Sequence, residues 1–472
     1  MSALERHDVQ GLVVSGYGKM REARYLLLGV RDPGEARRWI GELAGQVTAS
    51  EGAEERRCVN VALTREGLET LGLDRAEIST FAPPFQEGMT AEHRQRILGD
   101  TGDNHPEHWL WGGPVKSGEE PPPSQVHVLL LLFARDEDTM AEVEGVHTQS
   151  LAGALEVIRP LRPEPLPGRQ SVGKFGLEHF GFADGMSQPV VKGSGQEDKL
   201  GGDDARRTVI EAGEFVLGYP NGYGKLTPWP RLTVPGRADG DFGRNGTYLV
   251  VRHLAQDVAA FCRFLDNSTK GPNGESDQEQ AEWLAAKLVG RWRSGAPLVR
   301  SYHRDDPDLG SDNSFGFAAV DPYGERCPLG AHIRRSNPRD SLGPDPYKAL
   351  ELANLHRLVR RGRVYGPELK NPLDGDDGHE RGLLFMCINA NIERQFEFVQ
   401  HTWCNNPKFA GLYDEQDPLL ANQPEGRGSF TVQGAPIRQR VGGLSSFVTV
   451  RGGAYFFLPG VRALRLLAAL EG

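Results

Sequence analysis

The chain has 472 residues, 38% of them hydrophobic and 25% charged, with 54 basic and 64 acidic side chains giving a net charge of −10. This is the composition of folded, water-facing domains. It argues against long disorder and against a broad basic surface for nucleic acid, and at roughly 100–200 residues per domain it allows two to four domains. The 59 glycines and 32 prolines exceed ordinary usage and predict long ordered loops between modest secondary elements.

No apolar run approaches the ~18 residues that span a bilayer. The opening MSALERHDVQ lacks the basic and apolar regions of a secretory leader. Both features predict a cytoplasmic protein with no membrane partner. The five cysteines (Cys58, Cys262, Cys327, Cys387, Cys404) are scattered, odd in number and without a CxxC pair. Disulfide frameworks, zinc ribbons, iron–sulfur sites and covalent haem attachment through CxxCH are therefore disfavoured.

In chain order, Tyr25–Val30 reads as a strand, followed by a helix from about Gly34 with Trp39, Ile40, Leu43 and Val47 on one face. Val59–Leu63 and Val126–Ala134 read as buried strands, and Met140–Ile158 as a helical stretch. The span 160–245, rich in Gly, Pro and charge, reads as a connecting region of ordered loops. Tyr248–Val251 is a strand, and the helix after it places Leu254, Val258, Phe261 and Leu265 at helical spacing. Leu383–Ile388 is a further buried strand, followed by a helix carrying Ile392, Phe396, Val399 and Trp403. Phe447–Val450 and Tyr455–Leu458 read as a closing hairpin turning at Gly452-Gly453. Strands and helices do not alternate one for one, which favours α+β with antiparallel sheets, in two similar halves, over a parallel doubly wound sheet.

Two segments carry chemistry. In Gly181–Pro189, GFADGMSQP, Asp184 sits between glycines at 181 and 185 in a loop. Such an aspartate commonly caps a turn; held on a rigid loop facing a pocket, it would serve as an acid–base group. In Cys327–Asp340, CPLGAHIRRSNPRD, His332 stands among small and apolar residues close to Arg334, Arg335 and Arg339. A lone histidine there is commonly structural. No second His or Cys lies at chelating spacing, which disfavours zinc, whereas a five-coordinate haem needs one axial His, and arginines suit its carboxylates.

These segments resemble the dye-decolorizing peroxidases: GFADGMSQP is similar to their GxxDG signature, and CPLGAHIRRSNPRD to the segment of their proximal haem histidine. DVQGLVVSGYGK (8–19), LHRLVRRGRVYGP (355–367), RGLLFMCINANIERQFEFVQHTW (381–403), NNPKFAGLYDEQDPLL (405–420) and FVTVRGGAYFFLPGVRAL (447–464) extend the resemblance over most of the chain. Length and the later motifs look like the larger, intracellular bacterial subgroup. The resemblance implies two ferredoxin-like α+β halves with antiparallel sheets covered by helices, in a dimeric α+β barrel-like arrangement, divided as 1–210 with the distal loop and 211–472 with haem b.

Carried over by residue, the resemblance makes His332 the proximal iron ligand, Asp184 the distal acid–base residue and Arg360 the distal arginine, with Arg361 as the fallback. It makes Leu383 and Phe385 the apolar distal lining, and Asp417 the acceptor of the second ring N–H of His332, although Glu415 is close by. Gly185 and Arg334 join the cofactor-binding set. Gly362 stands where some members carry a distal Asn. The activity implied is reduction of hydrogen peroxide coupled to oxidation of a small aromatic, dye-type or phenolic reductant, strongest in acid and falling as pH rises, with room for a homo-oligomer. A haem-processing lyase of the deferrochelatase kind, a haem carrier or sensor, and a haem-free relative are the competing readings. Tyr365, Trp403 and Tyr455 lie near pocket motifs, where aromatic side chains are commonly packing.

Overall fold

The computed structural model describes residues 3–52, 56–114, 125–151, 153–164, 176–232, 241–423, 426–434 and 436–470. Of the 160–245 span, residues 165–175 and 233–240 lie outside them.

The apolar runs seen in the sequence form strands buried on both faces. β1 (Glu22–Val30), β2 (Arg57–Leu63), β3 (Val128–Ala134) and β4 (Leu155–Leu161) make the first half. β5 (Thr247–Gln256), β6 (Val359–Arg360), β7 (Arg363–Tyr365), β8 (Gly382–Asn389) and β9 (Val448–Leu458) make the second. They join in one nine-stranded sheet ordered β4-β1-β3-β2-β9-β5-β8-β6, with β7 also on β8. Every pairing in it is antiparallel. The path is linear and does not close into a barrel. The halves meet where β9 pairs β2 at Phe457 and Leu63.

Alternation of side chains sends Leu26, Leu28, Val59, Val61 and Leu130 into one core and Tyr25, Leu27, Ala62, Leu129 and Leu131 into another across the sheet. The first core is covered by α1 (Pro33–Leu43), capped by Asp32, whose side chain accepts the Glu35 N–H. α2 (Glu137–Ser150), likewise capped by Asp136, adds Met140 and Val143. In the second half α3 (Val258–Ser268) and α4 (Gln278–Val289) build a third core with Phe180, Phe182 and Phe430. α5 (His332–Ser336) is a short helix and α6 (Pro346–Asn354) leads to β6.

Three sequence expectations are corrected. The helix expected through Met140–Ile158 ends at Ser150; Gly153 at φ +84° breaks it, and Val157 pairs with Leu28 in the β4–β1 ladder. Leu254 belongs to β5, because that strand runs on to Gln256 and the helix starts only at Val258. The closing hairpin is instead one strand, β9, with a bulge at Val450/Gly452. Its two glycines serve close approach: a Cβ at Gly452 would stand 2.6 Å from Trp111 Nε1, and one at Gly453 2.9 Å from the Val251 carbonyl oxygen. The helix expected after β8 is π-helical, over Glu393–Glu397 and Val399–Cys404.

Candidate active site

The loop at 176–189 is shaped by a carboxylate that the sequence reading passed over. Glu178 accepts the backbone N–H groups of Phe180 and Phe182, each at 2.9 Å, and the side-chain amide of Gln256 at 2.7 Å. Burial raises the Glu178 pKa against the pull of these donors. The turn so formed needs Gly181 at φ +92°, and Gly185 at φ +98° follows Asp184. The Asp184 N–H is fixed on the Gly176 carbonyl at 2.9 Å.

Asp184 therefore projects from a clamped loop, and β6 brings Arg360 to it. Arg360 Nη1 donates to Asp184 Oδ1 at 3.0 Å and Nη2 to the Met186 carbonyl at 2.8 Å, while its backbone N–H donates to Gln188 Oε1 at 2.9 Å. Burial works to raise the Asp184 pKa, but the Arg360 charge and the 2.7 Å hydrogen bond from Gly185 N–H outweigh it and hold the carboxylate below its usual range. The neighbouring Arg361 is spent elsewhere, on the carbonyls of Leu12 and Val13.

Both residues stand on the wall of a cavity of about 270 Å³. Leu383 and Phe385 line it from β8, while the alternate residues Leu384 and Met386 point into the core across the sheet. The π-helical segment adds Phe396, Val399, Gln400 and Cys404. His332, the first residue of α5, lines the same cavity. Its Nδ1 lies 3.0 Å from Oδ2 of Asp417, a residue with 0% exposure. Oδ1 of Asp417 accepts the N–H groups of Leu419 and Leu420, both at 2.9 Å. Burial works against the charged form of each partner, yet their pairing lowers the Asp417 pKa and raises that of His332. Glu415 is engaged instead by Thr431.

Arg334 does not reach the cavity. It is 1% exposed, donates to Asp321 Oδ2 at 3.0 Å and to the Cys327 carbonyl at 2.8 Å, and lies over the Phe317 ring. The side chain leaves the short helix on the side away from His332, and the structure does not bring it to the cavity with the other expected residues. Besides Arg360, the arginines on the wall are Arg291, Arg339 and Arg357. Among the described residues none of the three has an Asp or Glu within ion-pair distance, and burial drives Arg291 and Arg357 down to about 10 and Arg339 well below its usual value. Arg339 belongs to a motif noted in the sequence. Arg357 lies in another, LHRLVRRGRVYGP, whereas Arg291 carried no signal, because its place depends on how α4 and the loops pack.

This donor set fits a haem: the His332 imidazole, whose far nitrogen is already engaged, apolar walls, and buried cations lacking an anionic partner, while the second lining imidazole, His356, is tied to the Arg394 carbonyl and stacked on Phe398. Gln256 Oε1, on the same wall, is also buried with no hydrogen-bond partner among the described residues.

No family model matches the chain. It is 30% identical to dye-decolorizing peroxidase msp1 of Mycetinis scorodonius, over 99% of this chain and 88% of the relative. It is 31% identical to multifunctional dye peroxidase DyP2 of an Amycolatopsis species, over 94% of this chain and 91% of the relative. The chain belongs to the dye-decolorizing peroxidase family. Among solved structures, a dye-decolorizing peroxidase in complex with 2,6-dimethoxyphenol superposes with a TM-score of 0.79 at 25% identity, covering 99% of this chain and 100% of that one. As a dye-decolorizing peroxidase the protein is a haem-dependent oxidoreductase, and its relatives include fungal and bacterial members. Among its described residues no helix is long and apolar enough to cross a membrane.

Proposed function

We propose that this cavity is where haem b and hydrogen peroxide meet, with Asp184 and Arg360 acting together on peroxide and His332 holding the iron. The observation that carries the reading is the 3.0 Å Asp184–Arg360 pair on the wall of the cavity that also receives the Asp417-tied His332. Bound haem would supply the redox chemistry, accepting and passing on oxidising equivalents. His332 Nε2 is the nitrogen left for iron, and Asp417 sets the tautomer and strengthens the ring as a donor. Arg291, Arg339 and Arg357 are the cations for the haem carboxylates. The absence of a CxxCH segment supports haem held without covalent attachment.

Asp184, kept ionised by Arg360, would take a proton from one peroxide oxygen and return it to the other, which would leave as water as the O–O bond breaks, the two oxidising equivalents passing to the bound haem. Arg360 stays cationic and stabilises negative charge developing on the departing oxygen in a pocket from which Leu383 and Phe385 exclude water. Dyes and phenols are the reducing substrates this reading expects, in keeping with the names and bound ligand of its relatives. We further propose Gly185 as the residue that orients the Asp184 carboxylate through its N–H, and the division of the chain at 210/211 into a distal-loop half and a haem-binding half. Five free cysteines, four of them buried, support a reducing, cytoplasmic setting.

The test is the absorption spectrum of haem-loaded protein mixed with one equivalent of peroxide. Rapid oxidation of the iron followed by return to the starting spectrum with a dye supports the reading. Bound haem that ignores peroxide overturns it in favour of haem processing or carriage.

A further inference from the structure

The thioether of Met186, a residue of the cavity wall, has no part in the peroxide chemistry above. Among the described residues it is the single methionine lining the cavity. Its backbone carbonyl anchors Arg360 Nη2 at 2.8 Å, two positions after Asp184. Its thioether is pinned on the wall: Gly295, at φ +97°, leaves it the room, since a Cβ there would stand 2.8 Å from the Met186 sulfur. The Gly295 carbonyl in turn accepts Nη1 of the lining residue Arg291 at 2.7 Å. Met186 thus lines the cavity from the segment that bears Asp184, and its backbone carbonyl holds Arg360.

The other described methionines are placed differently. Met20, Met140 and Met386 are buried in the cores at 1%, 0% and 0% exposure, against 7% for Met186 on the cavity wall. Met89, at 2%, has its sulfur 3.3 Å from Arg252 Nη1, which donates to it. A thioether is oxidised where an oxidant can approach a free sulfur lone pair, so a methionine on a cavity wall reacts ahead of one sealed in a core or engaged as an acceptor.

We propose that Met186 is a modification site: when hydrogen peroxide outruns the reducing substrate, its thioether becomes the sulfoxide before any other described methionine. The step is balanced by peroxide alone. A sulfur lone pair attacks one peroxide oxygen, and the S–O bond forms as the O–O bond breaks. The sulfur loses two electrons, and the departing oxygen gains them and leaves as hydroxide. The proton on the newly bound oxygen passes to that hydroxide, giving water. The product places a polar, chiral group on the segment that anchors Arg360, and it is the rung of methionine oxidation that sulfoxide reductases reverse.

The proposal rests on the cavity being where peroxide arrives, and dye turnover by the untreated sample reports that separately. Haem-loaded protein is exposed to graded peroxide with and without an excess of a phenol, digested, and mapped by mass spectrometry. Added oxygen is expected first in the peptide containing Met186, suppressed by the phenol and reversed by methionine sulfoxide reductases. The Met186→Leu variant should lose this early oxygen and not transfer it to Met20, Met89, Met140 or Met386. Oxygen accumulating at those four while Met186 stays intact, or at all five together without preference, would overturn the proposal.

Discussion

Asp184 and Arg360 are 176 positions apart in the chain and 3.0 Å apart in the fold. The aspartate is held by a turn clamped on Glu178, and the arginine by β6 and by the carbonyl of Met186 on the same loop as Asp184. Their pairing is the arrangement that lets a carboxylate stay ionised in a largely apolar cavity.

Asp184→Asn should keep the fold and bound haem, since the amide can still accept from Arg360 and Gly185. The rate of iron oxidation by peroxide should fall by about 10²–10⁴-fold, the scale of a lost general acid–base group. Stopped-flow spectra of the two proteins check this; equal rates would remove Asp184 from the reaction.

The pH dependence follows from the lowered Asp184 pKa. A carboxylate that must be ionised to accept a proton loses activity only as pH falls through its own pKa, so the acid limb of peroxide reactivity should lie below the ordinary carboxylate range. Arg360→Gln removes the charge that opposes burial, and the limb should move to higher pH as well as the rate dropping. A pH profile of the peroxide step for both proteins decides it, and an unmoved limb would mean another group titrates.

Asp417→Ala should weaken haem retention by about 10–100-fold, the usual cost of losing the partner that orients a ligating histidine. Haem transfer to an acceptor protein measures it. Retention equal to the parent would show that His332 is oriented without the carboxylate.

Arg334→Ala should act on the fold. Removing one member of a buried ion pair leaves Asp321 uncompensated and costs about 3–5 kcal/mol, with both side chains of the pair only 2% exposed. Denaturant unfolding should show the loss. A variant of full stability that binds haem poorly would return Arg334 to the cofactor site.

How far the site was legible in the sequence differs from residue to residue. Asp184 between two glycines and His332 in a run of small residues could be singled out locally. Motif similarity then supplied Arg360, Leu383, Phe385 and Asp417, all of which the fold brings to the cavity or, for Asp417, to His332. Arg334 is not brought to the cavity, because residues two apart on a short helix point to opposite sides: His332 reaches the cavity while Arg334 turns to Asp321. Similarly, the two glycines of β9 read locally as a turn, and only the packing of Trp111 and the Val251 carbonyl against them shows why a strand interior carries them.

The sequence by itself determined the buried strands, the α+β class and the loop that carries Asp184, because apolar period, glycine placement and turn chemistry act over a few residues. Tertiary structure alone decided that Glu178 clamps that loop, that Arg291, Arg339 and Arg357 converge without carboxylate partners, and that the sulfur of Met186 rests against Gly295. These are contacts between distant segments, and their partners are chosen by packing and by the cost of burying charge rather than by any spacing along the chain.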